Sequence, residues 1–228
     1  MSAATAGHPE STPGIDVSDS RGRTGLDQVG RGLTGNPDVI VRDVRLLSSN
    51  WFVLRATTFD FRHRDGHWST EDRETYDRGD GATVLLYNTE QNTVLLTRQF
   101  RFPAYVNGHP DGNLVEAPAG LLDDDDPLAA IERETAEETG YTISDAAHLF
   151  DLFMSPGSVT EKLHFFAARY SAATLTGAGG GLAGEGEDIE NVELDFTEAL
   201  AAIGTTIVDA KTVILLQWAD RTGLLEAR

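Results

Sequence analysis

Three glutamates are spaced so that one face of a helix would carry them all. Glu134, Glu137 and Glu138 lie three and four residues apart, which places their side chains above one another on an α-helix. Like charges in this arrangement repel, so the helix is weakened unless a cation lies among them. Carboxylate oxygens suit Mg²⁺ or Mn²⁺, which keep bound waters and contact substrate phosphates. The spacing therefore predicts a divalent-metal site for phosphate chemistry.

The surrounding segment has the start and stop signals of a helix. Asp126 followed by Pro127 predicts an N-cap and a first-turn proline, and Gly140 suits the helix end. A solvated acidic face is the alternative interpretation of such glutamates. Arg133 either binds phosphate or, as we favour, supports the acidic loop and the glutamates.

Residues 120–141 together resemble the Nudix box. In that family a glycine and a short acidic loop precede R-E-x-x-E-E-x-G on a helix, and here the pattern runs from Gly120 through Arg133 to Tyr141. The loop is one residue shorter than the commonest spacing, and Asp126 stands where a glutamate is usual. The resemblance implies a Nudix α/β/α sandwich with a mixed sheet, in agreement with the interleaved strands and helices described below.

Composition excludes several classes of protein. The 228 residues carry a formal net charge of −19, so general nucleic-acid binding is not expected. There is no cysteine, which excludes disulfides and thiolate metal sites. No apolar run has the length of a membrane span and no signal-peptide core is present, so we expect a cytoplasmic protein without membrane association. The six histidines show no pair at ligand spacing and receive no assignment.

The order of the chain predicts three regions. Residues 1–37 lack apolar periodicity and are predicted to be a disordered tail. Residues 38–80 are predicted to form N-terminal strands with a β-hairpin that turns at 64–66, and residues 81–228 to form the Nudix domain. The predicted strands are 39–47, 51–61, 73–77, 82–87, 93–97, 113–119, 148–154, 163–170 and 192–196. Two helices are predicted at 196–203 and 209–225, the second amphipathic around Val213, Leu216 and Trp218.

Further segments resemble the GDP-mannose pyrophosphatases, a branch of the Nudix hydrolases close to the ADP-ribose pyrophosphatases. They include Arg98-Gln-Phe-Arg101 and the stretch that leads to Val159-Thr-Glu161. The matching segments are 76–88, 98–101, 106–108, 119–123, 154–161, 177–181, 187–189 and 211–213. The resemblance covers roughly residues 45 to 220 and includes the short box loop, although Ala178 interrupts the expected glycine run.

The resemblance also implies roles for individual residues. Glu134 and Glu138 would bind metal through carboxylates and Ala119 through its carbonyl, with Glu137 as a supporting ligand. Glu187 would be a further ligand or the catalytic base, with Glu185 as its competitor for the base. The substrate-binding residues would be Trp51, Arg73, Glu74, Arg101, Ala119, Glu161 and Lys211.

Two of these regions keep alternative interpretations. Residues 177–187 are either a flexible linker or a loop that closes over substrate with Glu187. Trp51 either stacks on guanine or packs in the hairpin core. The relatives are dimers in which the hairpin reaches the partner's site, so Arg73 and Glu74 would act across an interface, although Asp72 departs from the basic residue expected beside them.

The implied reaction is Mg²⁺-dependent hydrolysis of GDP-mannose to GMP and mannose 1-phosphate by a homodimer. Mn²⁺ is a possible substitute ion. ADP-ribose or another nucleotide sugar is the alternative substrate, since the box residues handle only the pyrophosphate. A Nudix-like sensor that binds a nucleotide sugar without turnover is a third hypothesis.

Overall fold

The computed structural model describes residues 35–122, 125–182, 184 and 186–226. Almost all of the predicted tail, residues 1–34, lies outside this described part. The chain divides into two compact units, one formed by Met1–Asp80 with Phe153–Lys162 and the other by Gly81–Leu152 with Leu163–Arg228. Within the described residues, no helix combines the length and apolar character needed to span a bilayer.

The first unit is built on a three-stranded antiparallel sheet. Its strands are β1 (Val39–Ser49), β2 (Val53–Arg62) and β3 (Trp68–Asp77), with β2 in the centre. The predicted turn at 64–66 is confirmed, because the His63 amide donates to the His67 carbonyl and Gly66 takes a positive φ of 89°. The returning strand begins five residues earlier than predicted, at Trp68, and its pairing with β2 runs without a register shift.

A buried ion pair lies at the end of this hairpin. Arg55 on β2 contacts Asp77 on β3 at 2.7 Å, and both side chains are almost fully buried. Residues of the 153–162 segment bond to the same strand end, where the Tyr76 amide donates to the Ser158 carbonyl and Thr160 Oγ1 donates to Asp77. This placement of the 153–162 segment was not predicted from the sequence.

The second unit contains a seven-stranded mixed sheet. The path β10-β5-β4-β9-β8 is extended by β6, which pairs with β5, and by β7, which pairs with β4. The strands are β4 (Gly81–Asn88), β5 (Thr93–Phe100), β6 (Asn113–Glu116), β7 (Ala119–Leu121), β8 (Ala147–Phe153), β9 (Lys162–Arg169) and β10 (Glu190–Asp195). The parallel pair β4–β9 and the antiparallel pair β4–β5 make β4 a central strand, as its apolar run predicted.

Helices cover both faces of β4. The helices are α1 (Phe102–Val106), α2 (Pro127–Thr139), α3 (Phe196–Ala201) and α4 (Ala210–Thr222). Ile131 of α2 packs in one core cluster with Val84 and Phe166, while the adjacent Leu85 and Phe165 are fully buried and point the other way because side chains alternate along a strand. The helix α4 also contacts β4. The layered α/β/α prediction is confirmed.

The last helix differs from its prediction in extent and in its buried face. It begins after the N-cap Asp209, which accepts from the Thr212 amide, and it ends at Gly223 with a φ of 65°. The buried side chains are Lys211, Thr212, Leu215, Leu216 and Ala219. Val213 and Trp218 are only half-buried, so of the three residues that were predicted for the apolar face Leu216 alone is fully buried. The face includes Lys211 and Thr212 because these polar groups have buried partners, which apolar periodicity cannot reveal.

Candidate active site

The helix α2 holds the box glutamates as its end signals predicted. Asp126 accepts hydrogen bonds from the amides of Leu128 and Ala129, and Gly140 ends the helix in the left-handed conformation. Glu134 crosses directly over β7, where a Cβ on Gly120 would lie 2.0 Å from the Glu134 carboxyl carbon. Only glycine at position 120 leaves room for this carboxylate, which explains the glycine at the start of the box.

Two of the box carboxylates are held where negative charge is disfavoured. Burial raises the pKa of Glu138 well above its ordinary value, and the neighbouring Glu116 and Glu134 raise it further. Burial likewise raises the pKa of Glu134 to about 7, with Glu137 and Glu187 adding to the effect against the opposing Arg133. The Ala119 amide donates to Glu138 Oε2 at 3.3 Å. The protein alone therefore does not neutralise the charge that these side chains would carry.

Arg133 pairs with two box glutamates and with the acidic loop. Its guanidinium contacts Glu134 at 3.0 Å and Glu137 at 3.4 Å, and its Nε contacts Asp125 of the acidic loop at 3.4 Å. These contacts agree with the supporting role favoured from the sequence.

The glycine-rich segment closes the end of α2. Gly180 and Gly181 donate to the carbonyls of Glu138 and Glu137, at 2.8 and 3.0 Å, so these helix-end carbonyls gain partners. A Cβ on Gly179 would lie 2.6 Å from the Thr139 carbonyl carbon. The linker interpretation is therefore wrong for this part of the segment, because its backbone is bonded to the helix.

The same segment brings Glu187 to the box glutamates. Glu187 Oε2 accepts from the Leu182 amide at 2.9 Å, and the half-buried carboxylate is close enough to raise the pKa of both Glu134 and Glu138. Glu185, its competitor for the base role, lies outside the described residues. Within the described part of the chain, Glu187 is thus the loop carboxylate that lies with the box.

Glu116 is a site residue that was not predicted from the sequence. It ends β6 almost fully buried, with Oε1 2.6 Å from Arg101 Nε and Oε2 bonded to Lys211 Nζ. Lys211 also contacts Asp209 at 3.1 Å. Burial by itself would raise the pKa of Glu116, but Lys211 and Arg101 outweigh it and hold that pKa below its usual value. A charged residue inside the apolar run Leu114-Val115-Glu116-Ala117 was the signal that could have identified it.

The carboxylates of the box fit a hard divalent ion. Buried oxygens with unneutralised charge are the ligands that Mg²⁺ and Mn²⁺ prefer. Among the described residues, no three box carboxylates have oxygens that all lie within 4.8 Å of one another; the one such group is His148, Asp151 and His164. Because Mg²⁺ commonly binds through one or two carboxylates plus waters, the box remains compatible with it.

The remaining predicted substrate residues lie in the first unit. Trp51 is 58% exposed and contacts Phe52 edge-on, so the hairpin-core interpretation of Trp51 is wrong. Arg73 and Glu74 are exposed on β3, where Arg73 contacts Glu71 at 3.1 Å. Glu161 is largely buried and lies 3.5 Å from Arg78. Their roles toward a substrate stay predictions.

Comparison with known proteins covers nearly all of the chain that the structure describes. Residues 38–76 match the family described as "GDP-mannose pyrophosphatase NudK N-terminal domain", and residues 77–216 match the NUDIX domain. A GDP-mannose pyrophosphatase of Pectobacterium atrosepticum is 53% identical over 77% of this chain and 90% of its own. One from Escherichia coli is 48% identical over 82% of this chain and 97% of its own.

A solved structure gives the same result for the fold. The crystal structure of an ADP compounds hydrolase superposes with a TM-score of 0.61 at 18% identity, over 82% of this chain and 96% of that one. The sheet, the capped glutamate helix and these matches together show that the chain belongs to the Nudix hydrolase family.

Proposed function

We propose that the protein hydrolyses the pyrophosphate bond of GDP-mannose to give GMP and mannose 1-phosphate. The observation that carries the proposal is the match to GDP-mannose pyrophosphatases at about half identity over 90–97% of their length. The match includes the N-terminal 38–76 region as well as the Nudix domain, so it extends beyond the elements that handle pyrophosphate.

The charges of the site are our reason for including a divalent ion in the proposal. The substrate's pyrophosphate is anionic, and two like charges 4 Å apart repel by about 4 kcal/mol at an effective dielectric near 20. We assign the metal to Glu134 and Glu138, with Glu137 in support and the Ala119 carbonyl and Glu187 as further ligands. Bound Mg²⁺, or Mn²⁺ in its place, would neutralise the phosphates and lower the pKa of a water.

The cations beside the box would bind the substrate's phosphates. The Arg101 side chain is 38% exposed and its Nε is paired with the buried Glu116, so the rest of its guanidinium can reach a ligand. Such a guanidinium can bind phosphate oxygens through two hydrogen bonds. Lys211 is nearly buried and fixed by Glu116 and Asp209, which favours a single defined contact.

Glu187 is our candidate for the catalytic base. It reaches the box from a segment whose glycines bond to the carbonyls at the end of α2, so the box helix itself anchors the loop that carries Glu187. A carboxylate in this position can accept the proton of the attacking water. We keep Glu185 as the competing base.

The remaining assignments follow the same relatives. We propose that Trp51 contacts the base of the nucleotide, that Glu161 contacts the sugar nucleotide, and that Arg73 and Glu74 act within a homodimer. We also propose a cytoplasmic location. Size-exclusion chromatography with light scattering tests the dimer, since a monomer at working concentration would contradict it.

The experiment for the activity is product analysis with competing substrates. The purified protein is incubated with Mg²⁺ and equal amounts of GDP-mannose, ADP-ribose and UDP-glucose, and products are separated by ion exchange. GMP and mannose 1-phosphate should appear fastest. Glu138→Gln should remove turnover, whereas Glu132→Gln, the same change elsewhere on α2, should retain it.

Other outcomes would overturn parts of the proposal. Faster formation of AMP and ribose 5-phosphate would assign ADP-ribose as the substrate. No product from any of the three, with binding retained, would support the sensor. Magnesium-dependent turnover by Glu138→Gln would contradict the metal assignment.

A further inference from the structure

We propose that His148, Asp151 and His164 form a second metal site, specific for a zinc-type ion and separate from the box. His148 and Asp151 lie on the edge strand β8, and His164 lies on the neighbouring strand β9. All three belong to the same compact unit. The sequence showed no histidine pair at ligand spacing because the second histidine comes from a different strand.

The three side chains already point at one another. His148 Nε2 and His164 Nδ1 each lie 2.7 Å from the same carboxylate oxygen, Asp151 Oδ1. The three potential ligand atoms all lie within 4.8 Å of one another. Around a tetrahedral zinc ion such atoms are about 3.3 Å apart, since zinc–nitrogen and zinc–oxygen bonds are about 2.0–2.2 Å. Each pair with Asp151 would therefore have to open by only about 0.6 Å.

The local packing restricts how these rings can move. The His148 ring contacts Phe166 edge-on at 5.3 Å, and the His164 side chain is only 12% exposed. His148 and Asp151 are half exposed, at 50% and 40%. The three ligands thus come from two neighbouring strands, with His164 mostly buried, and the exposed side leaves a fourth position for water.

The donor set distinguishes this site from the box. Two imidazoles and one carboxylate suit Zn²⁺ and related first-row ions, whereas Mg²⁺ prefers oxygen ligands alone. Mg²⁺ bound at the glutamates would therefore leave the histidine site available. The competing interpretation is a hydrogen-bonded triad, in which both imidazoles donate N–H to Asp151 and no metal binds.

Metal binding changes the imidazoles in a way that the triad does not. An ion takes the lone pairs of His148 Nε2 and His164 Nδ1, so each ring proton must move to the opposite nitrogen. Asp151 lies two residues before the Phe153–Lys162 segment in the chain, and His164 lies two residues after it. The bound ion would therefore join the two strands on either side of that segment.

The test is a Zn²⁺ titration of the full chain with ¹⁵N-labelled histidine, in excess Mg²⁺ to occupy the box. The His148 and His164 signals should change together, saturate at one equivalent and show the changed tautomers. His148→Ala and Asp151→Asn should each weaken this binding by about tenfold or more. His67→Ala, which removes an exposed histidine beside Asp65, should leave it unchanged.

The readout is binding, so it does not depend on turnover or on the identity of the substrate. Unchanged His148 and His164 signals at several equivalents of Zn²⁺ would overturn the proposal and leave the hydrogen-bonded triad. Equal affinity in His148→Ala would also overturn it, because the zinc would then be bound elsewhere. Signals that change only at His63 and His67 would assign the binding to the hairpin turn.

Discussion

Glu134→Gln should make the metal-free protein more stable at neutral pH, although it removes a proposed metal ligand. Glutamine has nearly the same shape as glutamate, so it still fits against Gly120, and its side-chain oxygen can still accept a hydrogen bond from Arg133. It removes a carboxylate whose charged form is disfavoured by burial and by Glu137 and Glu187. The substitution therefore relieves a repulsion that Arg133 offsets only in part.

The size and the sign of the effect follow from the pKa of Glu134. Its rise from 4.5 to about 7 corresponds to about 3 kcal/mol, and solvent at this partly open position reduces the expected gain to about 1–2 kcal/mol. A carboxyl with a raised folded pKa stabilises the fold while protonated. That contribution is present below about pH 4.5 and is lost as the pH rises to about 7.

Thermal unfolding in EDTA measures this difference. At pH 8 the Tm of Glu134→Gln should exceed that of the unchanged protein by about 3–6 °C, and the gap should narrow towards pH 5.5. Adding Mg²⁺ should raise the Tm of the unchanged protein and raise that of the variant much less. Glu132→Gln is the matched control on the same helix and should move the Tm little.

A Tm for Glu134→Gln at or below that of the unchanged protein, in EDTA at pH 8, would refute the reasoning. It would mean that Arg133 already neutralises the site. A gap that is the same at pH 5.5 and pH 8 would likewise show that titration of Glu134 is not its source.

Two further predictions concern the groups around the box. Gly179→Ala should lower the free energy of unfolding by about 2 kcal/mol or more, because φ is +65° and the new Cβ would meet the backbone of Thr139. Gly184→Ala is the control: its new Cβ would meet no atom within 4 Å, so the free energy of unfolding should fall by less than about 0.5 kcal/mol. Urea unfolding measures both, and equal effects would contradict the docked segment. Lys211→Ala should raise KM more than it lowers kcat and destabilise the fold by about 3 kcal/mol or more, because Glu116 loses a buried partner. Steady-state kinetics test it, and an unchanged KM would remove Lys211 from the substrate site.

The box helix could be predicted from the sequence because its signals are local. Asp126, Pro127 and Gly140 act on the backbone within a few residues of their own positions, so capping chemistry fixes the helix ends without tertiary information. The buried strand β4 was equally recognisable, because a continuous apolar run needs cover on both faces.

The features that the sequence did not reveal depend on distant partners. Glu116 and Lys211 are 95 residues apart, and either one alone looks like an ordinary charged residue. His148 and His164 meet only because β8 and β9 are neighbours in the sheet. The hydrogen bonding of the glycine-rich segment to α2 could not be predicted either. A high glycine content indicates a flexible backbone but does not indicate which backbone groups will bond to each other.

Two backbone hydrogen bonds fix the ends of the loop that carries Glu187, and this affects how the length of the loop can change. The Gly180 amide bonds to α2, and the Gly180 carbonyl accepts from the buried Ile189, so both ends of the intervening stretch are fixed at one place. With its ends already joined, doubling the length of that stretch costs only about 0.6 kcal/mol of closure entropy. Insertions and deletions between these two hydrogen bonds can therefore change the length of the loop at little cost in stability while α2 keeps its fold.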